Sequence, residues 1–310
     1  MMEEMLLEEN LPPDAPEPLP FPFNQRTFCR YEPIEKRIER ARVLLVNNLL
    51  LEETDVSEVA IKELGRNVAK QLSRERQISS LAMSNIEHNV ERLVKHPDVR
   101  VAHLSKIREE AEEFRPQAIV LSGTLSDFDY YNPQHLENFN RFMHETRTPV
   151  LGICGGHQLI GLAFGARVVT LSNQEQHQNR ANRSFEYQYK LVRIIAPDDP
   201  IFRGINDAES GVWQDYTREG RILRVWQNHG LQLDRVPDGF QLLATGYLTR
   251  NQMMVKRTDE QLIYTVQFHL EKSFEDWDRT RATRWEHPNE SRDGRIIFEN
   301  FLRESLKRGE

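Results

Sequence analysis

One segment, PVLGICGGHQLIGLAFG at 149–165, constrains the fold more than any other part of the chain. A short apolar run leads straight into Cys154, and an apolar helix follows at once. Gly152, Gly155 and Gly156 surround the cysteine. A strand–turn–helix junction of this kind holds its central residue in a strained backbone conformation, which forces the neighbouring side chains to be small. The helix N-terminus then lies beside the sulfur, where its partial positive charge favours thiolate. The Gly155 amide is also placed to donate to a developing oxyanion. A buried cysteine acting as a small hydrophobe is the plain alternative. Glycine on both sides and an immediate helix argue against it.

The rest of the chain supplies the sheet such a junction needs. VLLVNNL from Val43, AIVLSG from Ala118 and PVLGIC from Pro149 are short apolar runs typical of buried parallel strands. Helix-compatible spacing without proline covers about 53–95, Pro97 ends that region, and VRVAHL at 99–104 reads as another strand. KIREEAEEF and residues 133–146 read as helices. Beyond the helix that starts near His157 the texture turns to β, with EYQYKLVRII, FQLLATG and LIYTVQFHLE as strands and IIFENFLRESLK as a closing helix. Strands alternating with helices predict an α/β fold with a mostly parallel central sheet flanked by helices. Six prolines between Pro12 and Pro22, among acidic residues, set off 1–40 as an N-terminal extension, and 41–310 reads as one domain with an insertion near 276–294.

Composition excludes several classes. Of 310 residues, 38% are hydrophobic and 29% charged, which is enough for a core under a polar surface. The formal net charge of −7 predicts no general attraction to nucleic acid or to an anionic membrane. No apolar window reaches the roughly 18 residues of a membrane helix, and the acidic start MMEEMLLEEN is unlike a signal peptide. Cys29 and Cys154, the only cysteines, suit a reducing cytosol, so a cytoplasmic protein is expected.

A cysteine nucleophile needs a base and a group that orients the base. In VQFHLE a strand would project Gln267, His269 and Glu271 from one face, so the carboxylate could orient the imidazole. His157, in the first turn after the junction, reads as a packing or capping residue, and His229 as part of a loop. No His, Cys or acidic cluster has metal spacing and no phosphate-binding loop is present, so no metal and no cofactor are expected.

These residues together resemble the class I glutamine amidotransferases, in their stand-alone and GMP-synthase-glutaminase-like forms. GICGGHQ resembles the family's G-x-C-x-G-H-Q, VQFHLE its Q-F-H-P-E, and LSGTLSDFD at 121–129 stands where the oxyanion loop lies. The resemblance implies a flavodoxin-like fold and a Cys154–His269–Glu271 triad that hydrolyses L-glutamine through a glutamyl thioester. It implies an oxyanion hole from the Gly123 and Gly155 amides, and a substrate pocket lined by Gln158, Asn228, Gly230 and Leu231. Thr124 follows Gly123 where the family carries a further glycine or proline, and Leu270 replaces a proline. Nothing in the chain resembles a synthetase, so the ammonia acceptor is expected on a separate synthetase or ligase subunit. The alternatives are a stand-alone γ-glutamyl hydrolase, using the same triad on another leaving amine, and a non-catalytic regulatory subunit.

Overall fold

The computed structural model describes residues 35–178, 180–205, 222–272 and 292–308. In chain order its elements are β1 (Ile38–Asn47), α1 (Glu58–Leu64), α2 (Val68–Leu93), β2 (Val94–His103), α3 (Ile107–Phe114), β3 (Ala118–Leu121), α4 (Pro133–Glu145), β4 (Val150–Ile153) and α5 (Gly155–Ala163). The second half adds β5 (Val168–Thr170), β6 (Glu186–Ile194), β7 (Ile222–His229), β8 (Leu231–Leu233), β9 (Gln241–Thr245), β10 (Met253–Arg257), β11 (Leu262–Val266) and α6 (Arg292–Leu306). The N-terminal arm up to residue 34, and residues 273–291 of the expected insertion, lie outside the described residues.

The main sheet has nine strands in the order β2-β1-β3-β4-β11-β10-β9-β6-β7. From β2 to β11 every pairing is parallel, and from β11 onward every pairing is antiparallel. The α/β half therefore comes first in sequence, but β11 returns to the middle of the nine-stranded sheet and lies against β4. That return brings the end of β11 beside Cys154. A small sheet of β5 and β8 stands apart.

Strand periodicity divides the core in two. Along β1, Val43 and Leu45 face one side and Leu44 and Val46 the other, as a period of two residues requires. The first pair packs with Ile86, Val90 and Leu93 of α2 and with Phe298 and Phe301 of α6. The second pair joins Ile107 of α3, Phe139 of α4 and Leu159 and Ile160 of α5. Both faces are covered, which is why the parallel strands read as unbroken apolar runs.

Two expectations are corrected. The helical stretch over 53–95 is broken between α1 and α2, where Gly65 takes φ 51° and ends the first helix. Pro97 does not end a region but lies inside β2, which begins at Val94. Among the described residues β2 is an edge strand pairing only with β1, so one of its sides needs no backbone donor and proline is tolerated there.

Candidate active site

Cys154 is the N-cap of α5 with φ 50° and ψ −102°, a conformation that side chains rarely adopt. It is held there from both sides. Its N–H donates to the Val266 carbonyl at 2.8 Å, and its own carbonyl accepts from the Gln158 N–H at 3.1 Å. A Cβ on Gly152 would come within 2.7 Å of the Gly156 carbonyl oxygen, and one on Gly156 within 2.8 Å of Leu121 Cβ. The turn closes only with glycine at both. A Cβ on Gly155 would overlap the side chain and backbone nitrogen of Thr124. Thr124 thus fills the space over Gly155.

The histidine expected as the base does not lie in a continuous strand. β11 ends at Val266, and the chain then bends, with His269 in an isolated bridge to Trp226 and Glu271 in a turn. The expected face-sharing of Gln267, His269 and Glu271 is therefore corrected. The His269 N–H donates to the Trp226 carbonyl at 2.8 Å, and Asn89 of α2 donates to the Glu271 carbonyl at 2.8 Å. Those two anchors bring His269 Nδ1 to 2.7 Å from Glu271 Oε1. Cys154 is the other group close enough to act on the imidazole. Burial pulls the His269 pKa down, but the Glu271 carboxylate and the Cys154 sulfur outweigh it and hold the imidazole well above its ordinary value.

Gly123, just beyond β3, lies between the two reacting groups: a Cβ there would stand 3.3 Å from His269 Cε1 and 3.7 Å from Cys154 Cβ. The Gly155 N–H is the first of α5 and has no carbonyl one turn earlier to bond. Gln158 is buried, and its Nε2 donates to the Leu231 carbonyl at 2.8 Å and to Gln267 Oε1 at 3.1 Å. Gln267 in turn directs Nε2 at Cys154 Sγ, 3.8 Å away. Gly230 is crowded by Arg183 Cδ and the Phe185 ring, which a Cβ would meet at 2.8 and 2.9 Å. Asn228 is exposed near the end of β7, opposite Tyr187. Of the expected pocket residues, Gln158 and Leu231 contact one another, and Asn228 and Gly230 occupy the adjoining strand end.

His229 is not in a loop. It ends β7, buried, with Nε2 3.3 Å from Glu186 Oε2 and Nδ1 3.0 Å from the Leu231 carbonyl. Burial pushes Glu186 up, but the His229 imidazole beside it holds it below the usual carboxylate range. His157 packs as expected: it is fully buried, bonds Thr265 Oγ1 at 2.7 Å, and burial together with His229 pushes its pKa down to about 3. Among the described residues no group of three or more His, Cys, Asp or Glu could hold a metal, and no helix is long and apolar enough to cross a membrane.

A buried cysteine on a strained strand–helix turn, beside a carboxylate-anchored histidine, is built for acyl transfer. Comparison with known proteins agrees with that class. Residues 80–284 match the family model for glutamine amidotransferase class-I, and the chain belongs to this family. A glutamine-hydrolyzing GMP synthase subunit of Pyrococcus abyssi is 32% identical over 165 residues, covering 53% of this chain and 70% of that protein. The glutamine-hydrolyzing GMP synthase of Nitratiruptor is 30% identical over 189 residues, 61% of this chain but only 28% of that longer enzyme. Two solved structures share the fold: a Thermoplasma acidophilum protein assigned to the GMP synthase subunits (TM-score 0.54, 20% identity, 86% of this chain and 94% of that one) and a Thermotoga maritima glutamine amidotransferase (TM-score 0.51, 16% identity, 86% and 98%).

Proposed function

We propose that the chain hydrolyses the side-chain amide of L-glutamine and that the ammonia passes to an acceptor on a separate synthetase or ligase subunit. The observation that carries this reading is the convergence of Cys154, His269 and Glu271 with Gly123 between sulfur and imidazole. His269 takes the thiol proton and Cys154 Sγ bonds to the amide carbon. The Gly123 and Gly155 amides receive the oxyanion. The imidazolium then returns its proton to the leaving nitrogen, ammonia departs, and a glutamyl thioester remains. Water, deprotonated by His269, attacks the thioester, and glutamate leaves as the sulfur recovers its proton. Glu271 keeps the imidazole oriented and its positive charge matched throughout.

Gln158, Asn228, Gly230 and Leu231 would line the pocket for the amino-acid end of the substrate. The relatives named as glutamine-hydrolysing, one of them as a subunit, favour free glutamine and a separate acceptor over a γ-glutamyl hydrolase. Ammonia release from L-glutamine by the purified chain, beside its Cys154→Ala and His269→Asn variants, is the test. Cysteine-dependent release supports the reading. Turnover retained in Cys154→Ala rejects this nucleophile, and faster release from γ-glutamyl alkylamides than from glutamine rejects the substrate.

A further inference from the structure

The loop that carries Gly123 reads Ser122-Gly123-Thr124-Leu125-Ser126-Asp127, without the extra glycine or proline of the family pattern. Its polar side chains are gripped from outside instead. The Asn48 N–H donates to Ser122 Oγ at 3.0 Å, and Asn48 Nδ2 donates to the Ser122 carbonyl at 2.6 Å. Asp127 accepts from Arg183 at 2.7 and 2.6 Å and also from Arg180. Ser126 donates its hydroxyl to Glu75. Gln71 Nε2 donates to both Ser126 Oγ (3.0 Å) and Glu75 Oε1 (3.1 Å), and the Leu50 N–H donates to Glu75 Oε2 at 2.9 Å.

Glu75 is the unusual member of this set. It is 0% exposed in the middle of α2, and it precedes residues 80–284, the segment that matches the family. Burial raises its pKa against the pull of the Ser126, Leu50 and Gln71 hydrogen bonds. An acidic group in such a place is costly, and a well-packed apolar residue of similar volume is often no less stable. Its contacts lead to the Gly123 loop and to the turn after β1 that holds the same loop through Asn48. An oxyanion donor stabilises a transition state only while it is fixed in advance.

We propose that Glu75 is a positioning residue: through Ser126 it fixes the 122–127 loop so that the Gly123 N–H meets the oxyanion formed at Cys154. The proposal rests on the glutaminase reading above. Two substitutions separate positioning from packing. In Glu75→Gln, the amide oxygen still accepts from Leu50, and the amide nitrogen can donate to Ser126 Oγ once the Gln71 amide turns its oxygen toward both, so the grip survives. In Glu75→Leu the volume is kept and the grip is lost.

The assay is steady-state ammonia release from L-glutamine, beside alkylation of Cys154 by iodoacetamide, which needs no oxyanion hole. Glu75→Gln stays within about 3-fold of the wild-type kcat. Glu75→Leu loses roughly 10–100-fold in kcat, with KM and the alkylation rate each within about 3-fold of wild type. Wild-type kcat in the leucine variant overturns the proposal. So does a leucine variant whose alkylation slows as much as its turnover, because the site as a whole has then collapsed. Should Glu75→Leu fail to fold, Ser126→Ala removes the loop's side of the contact, and the same kcat loss is expected; unchanged kcat there overturns the proposal too. A wild-type chain that neither releases ammonia nor has Cys154 labelled by a diazoketone analogue of glutamine overturns the glutaminase reading itself, and this proposal with it.

Discussion

Replacing Glu271 with glutamine tests whether this carboxylate sustains the charge on His269. The substitution keeps the shape of the side chain and an oxygen able to face Nδ1, which lies 2.7 Å from Oε1, but it removes the negative charge. Burial then acts on the imidazole with only the Cys154 sulfur to oppose it. A hydrogen bond to a charged group contributes about 1.5–3 kcal/mol, and one pH unit corresponds to about 1.4 kcal/mol. The His269 titration should therefore move down. The readout is ammonia release against pH. Its alkaline limb reports loss of the imidazolium that protonates the leaving nitrogen, and in Glu271→Gln that limb should shift to lower pH by the same amount. Identical alkaline limbs in the two proteins would refute the argument. Stability gives a second reading with a fixed sign. Because the folded pKa of His269 is raised, the stabilisation is complete below the unfolded value of about 6.5 and is lost as pH rises through the folded value. The urea-unfolding difference between wild type and variant should thus be largest in mild acid and shrink at alkaline pH.

Gly123→Ala places a methyl group 3.3 Å from His269 Cε1, and kcat should fall by roughly 100-fold while the melting temperature holds; a kcat near wild type would show that the loop has room to move. His229→Phe leaves the buried Glu186 carboxylate without its imidazole, at a cost of about 3 kcal/mol in urea unfolding at neutral pH. Since the folded Glu186 pKa is lowered, that penalty should fade as pH drops through it, and a penalty independent of pH speaks against the pair. Phe301→Ala, in the α6 face of the core, should destabilise by about 3–5 kcal/mol with no change in the KM for glutamine, and a loss below about 1 kcal/mol would place Phe301 outside the rigid core.

The elements with unambiguous local signals are legible in the sequence: the apolar runs of β1, β3 and β4, and the glycine-flanked junction at Cys154. What sequence reasoning misses depends on partners far along the chain. VQFHLE looks like continuous strand because apolar and polar residues alternate along it, yet the bond between His269 and the Trp226 carbonyl turns the chain after Val266. Pro97 looks like a terminator because nothing local shows that its strand lies at an edge. His229 looks solvated because its partner, Glu186, stands on another strand. Gln267 stands out in the sequence only as a neighbour of His269, although its amide reaches the sulfur. Glu75 has no local signature at all: an acidic residue in a charged helix reads as solvent-facing until the loop it touches is seen.

The backbone at Cys154 sets activity and stability against each other at a single residue. A non-glycine residue held at φ 50° costs of order 1–3 kcal/mol, carried by every folded molecule whether or not substrate is present. Glycine at 154 would relieve that strain and remove the sulfur, so selection for stability alone favours an inactive chain here. Screens for hardier variants of this protein should therefore accumulate losses at position 154 unless turnover is selected alongside.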